Sequence, residues 1–331
     1  MDVIFATIIL NEEPREIKRR DLINDGFDCE IFVNENRFTN NIKLKKENHI
    51  IYIFKKKYTN LREMFFACGL LTSINLSNFN TNYVTNMDCM FQSCYTLKSI
   101  DLSNINTNNV IKMGGMFNNC YLLKSIDLSK FNTNNVIDME GMFSCCESLT
   151  SIDVSNFNTN KVKNMTTMFQ NCIALTSINV SNFNTNNVTR MGNMFYGCSS
   201  LTSIDLSNFN TNNVTEMGNM FNKCSSLTSI DLSNFNTNNV TEMFSMFRDC
   251  SSLTTINVSN FNTNNVTFMS GMFSGCCSLI SIDLSNFNCN NIKTTDKMEN
   301  MFKGCKKLKI ENVRYKDFKI RNQLIVDLKL Y

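Results

Sequence analysis

A soft-metal site, a nucleophilic thiol and a redox pair all start from cysteine, and this chain of 331 residues has 15 of them. Ten recur at one position: Cys68, Cys94, Cys120, Cys146, Cys172, Cys198, Cys224, Cys250, Cys276 and Cys305. Metal ligands must converge on a point, with Cys or His at short fixed spacings. One thiol per repeat projects in parallel instead, and Cys145-Cys146 and Cys276-Cys277 are adjacent pairs with nothing between them. The column is therefore expected to be small, buried, reduced packing residues that hold no metal. Cys89 and Cys289 stand off the column and are the cysteines expected to react. An odd total leaves at least one thiol unpaired and favours a reducing, intracellular setting over a cell surface.

Other chemistry-bearing residues are equally regular. Asp101, Asp127, Asp153, Asp205, Asp231 and Asp283 form an acidic column, with Asn at positions 75, 179 and 257. A carboxylate ladder can bind calcium, but one carboxylate per repeat flanked by serine is expected to be a solvated face. The Thr/Asn ladder through Thr185, Thr211, Thr237 and Thr263 suggests a lattice matching ice or a polysaccharide, a remote reading beside ordinary turn chemistry. His49 is the only histidine, and no nucleophile and base stand in a recognisable order. There is no G-x-G-x-x-G and no phosphate loop, so no enzyme, catalytic residue or cofactor is expected.

These residues are positioned by a repeat. LTSIDLSNFNTNNVTEMGNMFNK at residues 201–223 returns 26 residues later as LTSIDLSNFNTNNVTEMFSMFRDC, and the period holds from Cys68 to Cys276. The last step, to Cys305, is 29, with its three extra residues placed in a turn within 293–297. Leu201, Ile204 and Leu206 have the spacing of a short parallel strand. Val214, Met217, Met220, Phe221 and Cys224 fall three or four apart, the spacing of a short helical segment with one buried stripe. SNFNTNN joins the two as a polar turn. The expected fold is an α/β repeat solenoid, a right-handed leucine-rich-repeat-like stack of about 9–10 rungs with a strand and a short helical segment in each.

Three parts follow: a strand-rich cap at 1–60, the solenoid at 61–305, and a basic cap at 306–331. Strands are expected at 3–10, 28–33 and 42–54, with a short charged and helical stretch at 12–22 that carries the only proline, Pro14. Residues 303–331 carry nine Lys/Arg against three Asp/Glu and are expected to blunt the sheet edge. A formal net charge of +3 makes no case for nucleic acid. No apolar run reaches the roughly 18 residues of a membrane helix, and 3–10 lacks the flanks of a signal peptide.

The blocks S-N-F-N-T-N-N-V-T and M-x-x-M-F-x-x-C, recurring in register over 61–305, resemble the repeat of the BspA-like leucine-rich-repeat surface proteins. That resemblance implies a solenoid that binds proteins, often in adhesion, with no catalytic residues. The residues themselves lead to the same class. Comparing copies, the strand face is nearly constant, while Tyr95, Tyr121, Arg190, Tyr196, Glu216, Phe244, Arg248 and Phe268 vary around the Met pair and the cysteine. Aromatics and arginine are the usual contact anchors. The expected function is a non-enzymatic scaffold engaging a protein partner either through these residues or through the concave sheet, with cell-surface adhesion as the alternative.

Overall fold

The computed structural model describes residues 2–10, 16–39 and 41–329, and its chain falls into two compact units, Met1–Asn158 and Thr159–Tyr331. Met1, Asn11, Glu12, Glu13, Pro14, Arg15, Asn40, Leu330 and Tyr331, with parts of the expected helical stretch and the C-terminal cap, lie outside the described residues.

The first unit opens with β1 (Asp2–Ile9), β2 (Glu16–Lys18), β3 (Cys29–Val33), β4 (Asn36–Arg37), β5 (Asn41–Lys43) and β6 (Glu47–Phe54). β1, β3 and β6 fall where strands were expected, although the 42–54 stretch breaks into two. The charged stretch is not helical where it is described: β2 pairs antiparallel with β5, and residues 19–21 make a single 3-10 turn. β3 and β4 form a hairpin around Asn34 (φ 49) and Glu35 (φ 69), the left-handed pair of a type I′ turn.

β7 (Ser73–Asn75) and β8 (Ser99–Asp101) come from the first repeats and complete one sheet in the order β4-β3-β6-β1-β7-β8. β1 lies antiparallel to β7, with Ala6 opposite Ile74, so the cap is stitched to the repeats by backbone pairing. Ile4, Ala6, Ile8, Ile50, Tyr52 and Phe54 are buried on the inner face. The buried Tyr52 hydroxyl donates to the Leu22 carbonyl at 2.9 Å.

In the second unit β9 (Thr255–Ile256), β10 (Ser281–Leu284) and β11 (Val313–Tyr315) form a parallel sheet. After β11 comes α1 (Phe318–Asp327), the one α-helix among the described residues. Asp317 caps it by accepting from the Lys319 amide at 2.8 Å, and Ile320 and Leu324 bury its inner face. Lys319 Nζ donates to the carbonyls of Cys289 and Ile292, each at 2.9 Å, tying the helix to the last repeat. The extra residues of that repeat form a 3-10 turn at Thr295–Lys297.

The short helical segment expected in every repeat is not there. Met220, Asn222 and Cys224 donate their amides three residues back, to Met217, Asn219 and Phe221. Between them, Met217, Asn219, Phe221 and Lys223 donate to Glu242, Phe244, Met246 and Arg248 of the following copy at 2.7–3.0 Å. Half of the amides thus leave the segment, whereas a helix keeps them four residues back. Asn219 (φ 58) and Lys223 (φ 62) stand at the third positions of their turns, where a type II turn demands positive φ. The same two left-handed positions recur in every copy, from Glu63 and Ala67 to Asn300 and Gly304.

The expected strand of each repeat is also only partly realised. Among the repeats, strands form at β7 to β10, while the interior copies make longer contacts such as Thr228 N to Thr202 O at 3.3 Å. Asp205 Oδ1 takes the Ser207 amide at 2.9 Å, and the same bond is made where strands do form, from Ser103 to Asp101 and from Ser285 to Asp283.

The core follows the apolar columns. Val214, Met217, Met220, Phe221, Cys224 and Leu227 are fully buried. Phe221 stacks between Phe195 and Phe247, each ring centroid 5.8 Å away. Phe65, Phe91, Phe117 and Phe143 stack likewise in the first unit at 5.5–5.8 Å. One column was overlooked by periodicity: Phe209, inside the polar SNFNTNN stretch, is also buried.

Candidate functional site

The polar residues that looked most available are committed to holding copies together. Thr185, Thr211, Thr237 and Thr263 are buried. Thr211 Oγ1 donates to the Asn236 carbonyl at 2.9 Å and accepts the Asn236 amide at 2.8 Å. These hydroxyls face inward, which removes the Thr lattice as a surface for ice or polysaccharide. Asn236 Nδ2 reaches Asn212 Oδ1 at 2.7 Å, and Asn213 Nδ2 reaches the Asn186 carbonyl at 2.7 Å.

The thiols behave as packing groups. Cys224 Sγ donates to the Phe195 carbonyl at 3.1 Å, and Cys250 to Phe221 at 3.1 Å. Burial pushes the Cys198, Cys250 and Cys305 thiols up to about 12. The two cysteines expected to react are no different. Burial, reinforced by Asp317, pushes Cys289 up to about 12, and burial also raises the half-buried Cys89. A raised pKa leaves little thiolate, which is the reactive form.

No group of His, Cys, Asp and Glu among the described residues could hold a metal ion. Along the acidic column, the amide and hydroxyl of the serine two residues on hold Asp205 and Asp231 below the usual carboxylate range. His49 is exposed, and its backbone amide donates to Asn34 Oδ1 at 2.9 Å. No helix of the described residues is long and apolar enough to cross a membrane.

What remains outward and variable is the set around the Met pair and the cysteine. In the first unit, Tyr95 and Tyr121 stack with centroids 5.4 Å apart. Gly69 gives Tyr95 its seat, since a Cβ there would stand 3.0 Å from the ring. In the second unit, Arg190, Glu216 and Phe268 occupy one column of parallel single-residue bridges through Glu242. Phe268 stacks on Phe244 at 4.9 Å, and Lys297 Nζ lies 4.6 Å from the Phe268 centroid. Phe244 folds over Gly218, where a Cβ would meet its ring at 2.5 Å. Lys223 stands 5.3 Å from the Tyr196 ring, and Arg248 is held near Asp249 at 3.5 Å. Tyr95 and Tyr121 thus pair in the first unit, and Phe244 and Phe268 in the second.

A family model described as "Mycoplasma protein of unknown function, DUF285" matches residues 35–152, 122–230 and 200–315, together most of the chain. The chain belongs to the DUF285 family. Among solved structures, this DUF285 chain is similar to a leucine-rich cell surface protein from Faecalibacterium prausnitzii at 18% identity. That match covers 79% of this chain and 78% of that one, with a TM-score of 0.35. A leucine-rich repeat protein from Eubacterium ventriosum matches at 19% identity over 65% of this chain and 61% of that one, with a TM-score of 0.32. Scores this low carry no functional argument. No curated protein matches the DUF285 chain.

Proposed function

We propose that this chain is a non-enzymatic scaffold, a right-handed leucine-rich-repeat-like solenoid that binds protein through the variable side chains around the Met pair and the cysteine. One observation supports the reading above others. The recurring Met, Phe, Cys and Thr side chains are buried and the recurring Asn side chains reach the neighbouring copy, so the outward aromatics that differ between copies are those the repeat does not need. The pairs Tyr95–Tyr121 and Phe244–Phe268 offer large rigid surfaces that cost little entropy to order.

The test is affinity capture from the source cell with wild-type chain and two variants. One carries Tyr95→Ser and Tyr121→Ser, the other replaces Tyr196, Phe244 and Arg248 together by serine. Loss of a specific captured protein with an unchanged melting temperature supports the reading. Capture unaffected in both variants eliminates this face. Adhesion at a cell surface, which the resemblance to BspA-like repeats implies, is the second reading, and surface labelling of the native protein in intact cells separates the two.

A further inference from the structure

The sheet of the first unit carries an apolar patch on its outer face, bordered by a polar row in which Thr7 lies opposite His49 and Ser73. An antiparallel sheet with one covered face normally alternates apolar and polar residues. Here β1 buries Ile4, Ala6 and Ile8 on one side and still turns Val3, Phe5 and Ile9 to the other, where Phe5 is 42% and Ile9 43% exposed. Ile51 and Ile53 of β6 and Phe32 of β3 share that outer side, each partly exposed.

Strand register arranges this face in rows. One runs straight across all six strands: Arg37 opposite Phe32, Phe32 opposite Ile51, Ile51 opposite Phe5, Phe5 opposite Asn75, and Asn75 beside Asp101. The row is basic at one end, apolar in the middle and acidic at the other. In the neighbouring row Val3 and Ile53 lie beside Glu30, whose charge is met by Lys55 at 2.6 Å and Arg37 at 3.3 Å.

We propose that this face is the interface between two copies of the chain, stacked about a two-fold axis that passes between Ile51 and Phe5. Rotation about that axis exchanges β4 with β8, β3 with β7 and β6 with β1. It sets Arg37 of each copy against the acidic end of the other and lays Ile51 over Phe5. Such self-complementarity is what an isologous pair requires, and it closes without leaving a face for further growth. Arg37 keeps donors to spare, because its contact with Glu30 uses one guanidinium nitrogen. Strands of two, five, eight, eight, three and three residues, spaced at about 4.8 Å, outline roughly 470 Å² per copy. That is well below the ~800 Å² per partner of a standard interface, which fits a weak, reversible dimer.

Sedimentation equilibrium of the full chain over a wide concentration range tests this. The expected result is a reversible dimer whose dissociation constant rises at least about tenfold with Phe5→Ser and Ile51→Ser, with circular dichroism and melting temperature unchanged. Because serine on this face could disturb folding, charge reversal supplies an independent reading. Arg37→Glu and Asp101→Lys should each weaken the dimer, and the two together should restore most of it, since the reversed charges meet again across the axis. A monomer at every concentration overturns the proposal. A dimer indifferent to the serine variants does so too, as does a double reversal no tighter than the single ones.

Discussion

Cys224 donates its thiol to the carbonyl oxygen of Phe195, 29 residues earlier and one copy back, at 3.1 Å. The same bond recurs from Cys198 to Phe169 and from Cys276 to Phe247. Each thiol must therefore keep its proton for as long as the repeats stay packed. In Cys198, Cys250 and Cys305 burial lifts the pKa from 9.0 to about 12. The unfolded chain would lose these protons near pH 9 while the folded chain holds them. Stability is then fully present below pH 9 and falls as pH rises towards 12, by about 1.4 kcal/mol per pH unit for each such thiol. Melting temperature followed from pH 7 to 11 should be flat at first and then drop steeply. A flat profile to pH 11 would show that the thiols are not buried.

Phe221 is fully buried and sits between two rings of the same ladder. Phe221→Ala removes both stacking contacts and opens a cavity that neighbouring copies, fixed by their own backbone bonds, cannot fill. The expected loss is about 3–5 kcal/mol in urea unfolding. A shift near zero would contradict the packing described here.

The buried Thr211 hydroxyl serves the amide and the carbonyl of Asn236 at once. Thr211→Val keeps the shape and strands both backbone groups away from water, at a cost of about 1–3 kcal/mol. Thr211→Ser retains the hydroxyl and should lose clearly less. A larger loss for Thr211→Ser than for Thr211→Val, measured by chemical denaturation, would mean that the methyl group matters and the bridge does not.

How much of this was legible depends on what each column had to satisfy. Apolar periodicity found Met217, Met220, Phe221 and Cys224 because burial needs only spacing, which a helix and a chain of tight turns share. It could not distinguish the two, since both repeat every three or four residues. The missing signal was in the variable positions: Gly115, Gly141, Asn193 and Gly271 in one column, Asn119, Gly197 and Gly275 in the other, all residues that tolerate positive φ. Phe209 was hidden among asparagines, and the threonines beside it looked exposed because a hydroxyl gives no hint of the backbone it will meet. Of the candidate contact residues, type and variability could be read, but the stacking of Phe244 on Phe268 depended on Gly218 leaving room. The outer sheet face was missed although the continuous apolar run in β1, rather than alternation, pointed to it.

Thr167 distinguishes turn from helix by the sign of its response. It has φ 56, a left-handed conformation that a β-branched residue adopts only under strain. The strain persists because the Thr167 amide donates to the Gly192 carbonyl at 3.0 Å and its own carbonyl accepts from Gln170 at 3.1 Å, bonds that fix the backbone whatever the side chain. Thr167→Gly relieves a penalty of roughly 1–2 kcal/mol for the left-handed state, partly offset by the greater freedom of the unfolded chain and by loss of the bond from the Thr167 hydroxyl to the Thr166 carbonyl at 2.7 Å. The net expectation is a gain of about 0.5–1 kcal/mol in denaturant unfolding. Within a helix the same substitution lowers stability, because glycine is among the poorest helix formers. A destabilised Thr167→Gly variant would therefore reinstate the helix and remove the left-handed turn.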